Sequence, residues 1–191
     1  MVGLGNPGAR YRGSRHNIGA VVVEAFARSS GFAAFTARFG GRYAAGRSVG
    51  QRVAVLLPET FMNRSGEAVG AALADPGLEW APSDLLVVAD DLDLPLGRLR
   101  LRPAGSSGGQ RGLESVIEAL GHSDFSRLRF GIGRPPHGHD PVAYVLDDFA
   151  PDERERVDEA VQRASSAVES VIAEGVDVAM GRFNRPLEEP S

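Results

Sequence analysis

The 191-residue sequence contains neither lysine nor cysteine, so all 21 of its basic side chains are arginines. Without lysine no side chain can form a Schiff base, and there is no phosphate-loop lysine. Without cysteine it has no thiolate nucleophile, no disulfide and no zinc–thiolate site. We attribute the missing lysine mainly to codon bias in a GC-rich genome, because composition alone provides only a prior.

Long hydrophobic runs are also missing from the chain. None approaches the roughly 18 residues that span a membrane, and the first residues lack the charged and apolar regions of a signal peptide. We therefore expect a soluble, cytoplasmic protein with no membrane partner. Only Met1 and Val2 precede the first glycine turn, whereas strands usually have about 5–6 residues. This short opening strand favours a start codon further upstream.

The formal net charge of −4 conceals a gradient along the chain. Residues 1–64 carry nine arginines against two glutamates, a balance of +7, whereas residues 147–191 carry 5 basic and 12 acidic groups, a balance of −7. The overall acidity argues against a protein that wraps nucleic acid. The basic first third nevertheless remains compatible with contacts to phosphates.

Apolar runs alternate with helical patterns, which predicts one α/β domain over residues 1–191, with a twisted mixed β-sheet surrounded by helices. Asn63 is a plausible N-cap of the second helix, and the proline-rich segment 135–150 is expected to form a mobile lid loop and a short helix. The predicted strands are 52–57, 84–89, 98–102 and 127–132, and the predicted helices are 18–29, 64–74, 113–120 and 151–175.

Three motif matches are better explained as turns and loops. Gly3–Gly8 matches the dinucleotide fingerprint, but the helix and the later acidic residue that this site needs are missing. Gly46–Gly50 matches a nucleophile elbow, but a strand follows Ser48 instead of a helix, which indicates a hairpin turn. The segment 137–140 has ligand-like residue types, His-Gly-His-Asp, yet its flanking prolines are more typical of a loop than of a metal site.

Two polar clusters remain as candidates for chemistry. Asp90-Asp91-Leu92-Asp93 follows a buried strand at its carboxyl end, where α/β proteins tend to place their sites. Its carboxylates could bind Mg²⁺, orient a histidine or cap a turn. His16-Asn17 stands at the start of the first helix, and Asn6 and Asn63 also lie in motif-like loops. The residue types alone leave these alternatives open.

Taken in order along the chain, these segments resemble the bacterial peptidyl-tRNA hydrolase family. The resemblance implies a single α/β domain that hydrolyses the ester between a peptide and the 3′ ribose of tRNA, in translation and ribosome rescue. It also implies a tRNA partner, a monomer, and no metal or organic cofactor. The matching stretches are Val2–Gly8, Tyr11, Ser14–Gly19, Pro58–Gly66, Asp90–Gly97, Gly131–Pro135 and Met180–Asn184.

The resemblance implies catalytic roles that fit the chemistry of the residue types. With no cysteine and no suitably placed serine, activated water is the simplest nucleophile. His16 would be the general base, because histidine changes charge nearest neutral pH, and Asp90 would fix its tautomer. Asn63 would hydrogen-bond the ester or the peptide, and Asn6 would separate blocked from free aminoacyl-tRNA.

Binding roles follow from the same resemblance. Tyr11, Phe61 and Met62 would line the cleft and pack against the peptide or the terminal adenosine. Arg102 and Arg129 match two basic positions that clamp a tRNA phosphate. Arginine can replace lysine there, because its guanidinium binds phosphate bidentately.

One segment departs from the family pattern. The family sequence G-G-H-N-G-L reads Gly-Gly-Gln-Arg-Gly-Leu over residues 108–113 here, so Arg111 replaces an asparagine that contacts substrate and positions the water. Arg111 cannot accept a hydrogen bond, but it could contact a phosphate or the 3′ nucleotides, or block the cleft. Two alternatives follow, an enzyme for free aminoacyl-tRNA in a specialised pathway and a non-catalytic RNA-binding protein. Retention of His16 and Asp90 favours an enzyme.

Overall fold

A computed structural model describes residues 1–185 of the chain and shows one seven-stranded mixed sheet between helices. The predicted fold class is thereby confirmed. The strands are β1 Val2–Gly3, β2 Thr36–Arg38, β3 Gly41–Ser48, β4 Gln51–Pro58, β5 Leu86–Asp91, β6 Leu99–Arg102 and β7 Ser126–Gly131. The helices are α1 Ile18–Ser29, α2 Ser65–Leu73, α3 Arg111–Leu120, α4 Pro141–Leu146, α5 Arg154–Glu174 and α6 Val176–Phe183.

The sheet order β2-β3-β4-β1-β5-β7-β6 places the short β1 at its centre. Strands β4, β1, β5 and β7 run parallel, and antiparallel β3 and β6 flank them. The carboxyl ends of β1, β4 and β5 therefore lie side by side at one edge. Ligand sites of α/β proteins form at such edges.

Strand β5 separates two apolar layers. Its side chains alternate between them: Leu86 and Val88 pack in the layer that contains α1 and α5, and Val87 and Ala89 pack in the layer that contains α2 and α3. The continuous apolar run predicted this burial on both faces. The same alternation turns Asp90 toward the α1 side of the sheet.

Two glycines let α1 approach the sheet closely. A Cβ atom on Gly19 would lie 2.3 Å from the carbonyl oxygen of Val88, and one on Gly3 would lie 2.6 Å from the carbonyl oxygen of Gly19. Backbone contacts this close exclude any side chain at both positions. They bring the start of α1, and His16 just before it, against the end of β5.

The hairpin predicted near residue 50 is confirmed, because β3 and β4 are joined by a two-residue turn. Val49 and Gly50 both have positive φ, 45° and 81°, as a tight hairpin turn requires. Strands β2 and β3 were not predicted from the sequence.

The N-cap role predicted for Asn63 is wrong. A 3₁₀ turn, Met62–Arg64, precedes α2, which begins at Ser65 with Arg64 in the cap position. The C-terminal helix was predicted as 151–175; instead α5 covers Arg154–Glu174, and Gly175, with φ of 87°, separates it from α6.

The segment 135–150 contains the predicted short helix, α4. Asp140 caps it by accepting hydrogen bonds from the backbone N–H groups of Val142, at 3.1 Å, and Ala143, at 3.2 Å. No helix within residues 1–185 is long and apolar enough to cross a membrane. In the same range, no three histidine, aspartate or glutamate side chains are grouped so as to hold a metal ion.

Candidate active site

A cleft of about 590 Å³ opens at the carboxyl ends of β1, β4 and β5. All of the site residues named from the sequence line it except Arg102, which is exposed on β6 outside the lining. The structure therefore brings together residues from five separate parts of the chain. Those from the sequence analysis are Asn6, Tyr11, His16, Phe61, Met62, Asn63, Asp90, Arg111 and Arg129.

His16 and Asp90 form a hydrogen-bonded pair in this cleft. The Nδ1 atom of His16 lies 2.9 Å from both Oδ1 and Oδ2 of Asp90. The carboxylate can only accept when ionised, so Nδ1 carries the proton and Nε2 is left as an acceptor. The Asp90 side chain is 3% exposed and that of His16 12%, which shields the pair from water.

Asn6 holds the loop that follows β4. Its Oδ1 accepts a hydrogen bond of 2.9 Å from the backbone N–H of Met62. Asn17 fixes Asn6 in turn, since its Oδ1 accepts from the Asn6 backbone N–H at 2.8 Å and its Nδ2 donates to the Asn6 carbonyl at 3.0 Å. Because Oδ1 is occupied, the Nδ2 group is the end of Asn6 available to a substrate.

Gln110 belongs to the site, although the sequence predicted no role for it. Its Nε2 donates to Asp90 Oδ1 at 3.0 Å and approaches the Met62 sulfur at 3.3 Å. Its Oε1 accepts from the Leu113 backbone N–H at 2.7 Å and so caps α3. The sequence signal was its position just before a helix, but the link to Asp90 depends on the tertiary fold.

Arg129 is held in the site by an ion pair. Its Nη1 lies 3.0 Å from Asp91 Oδ2, and its Nη2 donates to the carbonyls of Ser106 and Ser107 at 2.8 and 3.0 Å. Arg129 therefore anchors the glycine-rich loop that leads to Gln110. Much of its charge is balanced by Asp91.

The other arginines of β6 and β7 differ in exposure. In the antiparallel register Arg102 pairs with Arg127 and Arg100 with Arg129, so all four side chains lie on one face of the sheet. Arg127 is buried and donates to the carbonyl oxygens of Ser123, at 2.7 Å, and Phe125, at 3.0 Å, and burial lowers its pKa. Arg102 is exposed. The basic face predicted for β6 is confirmed.

Apolar side chains form the walls of the cleft. Phe61 and Val142 each remain 57% exposed, and both line it. Val142, Val145 and Leu146 come from α4 and were not identified from the sequence. Their signal was weak, an Asp140-Pro141 helix start followed by a single short turn.

Arg15 directly precedes His16 in the chain, and its side chain contacts the segment around α4. Its guanidinium lies 4.4 Å from the Tyr144 ring centre and 4.8 Å from that of Phe149, and its Nη2 is 2.7 Å from Glu153 Oε2. Burial raises the pKa of Glu153, but hydrogen bonds from Arg15 and from the Ala150 N–H outweigh it, so the net shift is downward. From the sequence alone, Arg15 has no predicted role beyond its place in the segment Ser14–Gly19.

Fold and site together define an α/β protein with a histidine–carboxylate pair able to activate water in a cleft lined by amide, apolar and arginine side chains. A family model described as peptidyl-tRNA hydrolase matches residues 1–190. The chain belongs to this family.

Individual relatives agree with this assignment. A peptidyl-tRNA hydrolase of Synechococcus sp. (strain JA-3-3Ab) is 50% identical over 189 residues, which cover 98% of this chain and 83% of that protein. One of Desulforudis audaxviator is 48% identical, over 96% of this chain and 92% of that protein. The crystal structure of peptidyl-tRNA hydrolase from Acinetobacter baumannii is similar with a TM-score of 0.87 at 35% identity, over 96% of this chain and 92% of that one.

Proposed function

We propose that this chain hydrolyses the ester bond of peptidyl-tRNA, with His16 as general base. The observation that carries this proposal is the His16–Asp90 pair, with 2.9 Å between Nδ1 and the carboxylate, inside the cleft of a chain that belongs to this family. Substrate recognition by a tRNA-binding surface and the individual residue roles below are parts of the same proposal.

The chemistry follows from the geometry of the pair. His16 Nε2 takes a proton from water while the water oxygen attacks the ester carbonyl carbon. Asp90 stabilises the imidazolium that forms. Collapse of the tetrahedral intermediate releases the 3′ oxygen of the ribose, which receives the proton from His16. The products are the free peptide acid and tRNA.

The amide side chains recognise the acyl group. Asn6 presents Nδ2 because Met62 occupies its Oδ1, and an amide donor suits the carbonyl of a blocked amino group. Asn63 is exposed in the cleft lining and would hydrogen-bond the ester or the peptide. Tyr11, Phe61 and Met62 would pack against the peptide or the terminal adenosine.

Arginines would bind the tRNA phosphates. Arg102 and Arg129 lie on one face of the β6–β7 pair, and both would contact the tRNA backbone from that face. Because Asp91 already balances Arg129, we assign Arg102 the larger share of the binding free energy. Arg111, exposed at the start of α3, would contact a phosphate or the 3′ nucleotides at the mouth of the cleft.

The decisive experiment compares hydrolysis of N-acetylaminoacyl-tRNA and free aminoacyl-tRNA. We expect the wild type to cleave the blocked substrate, and His16→Ala to lower kcat by about 10²–10⁴-fold, the usual contribution of a general base. His122→Ala is the matched control, because His122 lies outside the cleft lining. Failure of the wild type to cleave either substrate, with tRNA binding intact, would refute the hydrolase proposal and favour an RNA-binding protein.

Arg111 motivates the second candidate, activity on free aminoacyl-tRNA. It carries a positive charge at a position where the family pattern has a neutral amide. Preferential cleavage of the free substrate by the wild type would support this candidate. A large gain on the blocked substrate in Arg111→Asn would instead show that Arg111 impairs the ordinary reaction.

A monomeric state and a cytoplasmic location are further proposals, and both rest on the family resemblance. Analytical ultracentrifugation of the purified chain tests the first. A dimer at micromolar concentration would contradict it. Fractionation of the producing cell tests the second.

A further inference from the structure

We propose that Gln110 is a positioning residue that sets both the orientation and the proton affinity of the His16–Asp90 pair. This inference deepens the proposed function and rests on it for the catalytic part. Gln110 is buried, with 8% of its surface exposed, and it donates to the carboxylate from the start of α3, whereas His16 approaches it from the start of α1.

The orientation of the Gln110 amide is fixed at its other end. Oε1 accepts from the Leu113 N–H at 2.7 Å, so the carbonyl end of the amide faces α3 and the NH₂ end faces Asp90. A flipped amide would place its donor against the Leu113 N–H and lose both hydrogen bonds. Helix α3 thus directs a donor at Asp90 Oδ1.

Asp90 Oδ1 consequently serves two donors. His16 Nδ1 lies 2.9 Å away and Gln110 Nε2 3.0 Å away. Two donors at one oxygen restrict rotation of the carboxylate. The hydrogen bond from Gln110 also neutralises part of the negative charge on Asp90 that would otherwise stabilise the His16 imidazolium. Gln110 therefore holds the carboxylate in place and moderates its pull on the His16 proton.

Gln110 also connects the pair to the substrate side of the cleft. Its Nε2 lies 3.3 Å from the Met62 sulfur, and the Met62 N–H donates to Asn6 Oδ1. A Cβ on Gly112 would lie 2.4 Å from that sulfur, so the Met62 side chain is tightly packed against the start of α3. Asn6, Met62, Gln110 and Asp90 therefore form one connected set of residues in the lining of the cleft.

A neutral amide performs this task without titrating. The charged and titratable groups that line the cleft, besides His16 and Asp90, are Tyr11, Asp91, Asp93, Arg111 and Arg129. Asp91 is paired with Arg129, and Asp93 with Arg134 on the outer side. A substitution at residue 110 therefore changes the hydrogen bonding of Asp90, while the Asp91–Arg129 and Asp93–Arg134 ion pairs are retained.

Two variants separate positioning from helix capping. Gln110→Ser keeps an acceptor for the Leu113 N–H but is too short to reach Asp90. Gln110→Glu keeps the length and an acceptor for the cap, but it replaces the donor with a negative charge. Ser115→Ala is the control for loosened packing of α3, because the Ser115 hydroxyl accepts from the Gly66 N–H at 3.0 Å, away from the cleft.

The primary measurement is the NMR titration of the His16 ring, which does not require activity. We expect its midpoint to rise by roughly half a pH unit in Gln110→Ser, since one neutral hydrogen bond to the carboxylate is lost. In Gln110→Glu we expect a rise of about one pH unit or more, because a second anion favours the imidazolium. Ser115→Ala should leave the midpoint unchanged while it lowers the free energy of unfolding.

Kinetics provide the second measurement. We expect kcat on N-acetylaminoacyl-tRNA to fall about tenfold in Gln110→Ser, and the acid limb of the pH–rate profile to move upward with the NMR midpoint. Unchanged midpoints in both Gln110 variants, with the fold intact, would overturn the inference even if wild-type hydrolysis is normal. Shifted midpoints in a chain that cleaves no tRNA ester would instead refute the proposed function and leave the role of Gln110 standing.

Discussion

Arginines of the same sheet differ in how much charge they can offer to a ligand. Arg129 is paired with Asp91 and bonded to two carbonyls, Arg127 is buried among backbone carbonyls, and Arg102 is exposed. The sequence treats Arg102 and Arg129 alike because both match basic family positions. The structure separates them by the partners that each already has.

We therefore expect Arg102→Ala to affect mainly tRNA binding and Arg129→Ala to affect mainly stability. Arg102→Ala should weaken tRNA binding and reduce the slope of log K against log salt by roughly one, the effect of one lost phosphate contact. Arg129→Ala should lower the free energy of unfolding by about 3 kcal/mol, since Asp91 is left buried and unpaired. Filter binding at several salt concentrations and urea denaturation make the comparison. Equal salt slopes in the two variants, with equal stability, would contradict it.

At the scale of elements, Arg15 connects the start of α1 to α4 and to the start of α5. Its guanidinium packs on the Tyr144 and Phe149 rings and pairs with Glu153. Within residues 1–185, its buried Nε and Nη1 atoms have no hydrogen-bond partner, so stacking and the single ion pair hold it. Arg15, next to His16, therefore helps to hold the segment around α4, together with the hydrogen bond of 2.8 Å from the Tyr144 hydroxyl to the Ile132 carbonyl.

Removal of this side chain should loosen the wall of the cleft. We expect Arg15→Ala to lower the free energy of unfolding by about 2–3 kcal/mol, with Arg15→Lys intermediate because an ammonium stacks less well. The Glu153 pKa is lowered in the folded state, so the ion pair stabilises the fold above pH 4.5 and its contribution is lost as pH falls below that value. Urea unfolding across this range should show the wild type and Arg15→Ala converging in acid. A constant difference would contradict the ion-pair explanation.

The elements that could be predicted from the sequence are those with a clear hydrophobic period. Helix α1 was predicted with its observed bounds, 18–29, and β5 from its apolar run. Strand β2 was missed because all three of its residues are exposed, so no alternation marks it. Helix α6 was missed because Gly175 was expected to be an end and not a junction. The order of strands depends on packing that local patterns do not encode.

The site was predictable where a motif carried it and not where tertiary contacts carried it. His16, Asp90 and the asparagines belong to recognisable segments, and the fold brings them to one cleft. The hydrogen bond from Gln110 to Asp90 and the ion pair between Asp91 and Arg129 join residues 20 and 38 positions apart. No local pattern indicates such pairs, because each depends on how a loop folds over the sheet.

At the scale of the whole molecule, a polypeptide that starts at Met1, without the upstream residues that the short β1 favours, has an unusual titrating group in its amino terminus. It is buried beside the central strands, where it donates to the Ala54 carbonyl at 2.8 Å. Burial lowers its pKa from 8.0 to about 5, and the charge of Asp84 opposes this only in part. The folded chain therefore favours the neutral amine.

The free energy of unfolding should consequently rise as pH increases from 5 to 8. Below pH 5 the amine is charged in both states and the burial penalty is complete, whereas above pH 8 it is neutral in both and the penalty vanishes. The total effect is at most about 4 kcal/mol. Urea unfolding of the chain and of a version extended by Gly-Ser before Met1 tests this, since the extension replaces the ammonium with an amide. Equal pH slopes in the two proteins would contradict the prediction.

The same amino group determines how the chain reacts with acylating reagents. A polypeptide of these 191 residues has no lysine, so the amino group of Met1 would be its single primary amine, and in the fold this group donates to the Ala54 carbonyl. An amine-directed dye should therefore label the folded protein slowly, and should attach once to each molecule that unfolds. The rate of this labelling would therefore measure how often the centre of the sheet opens and exposes the amino group to solvent.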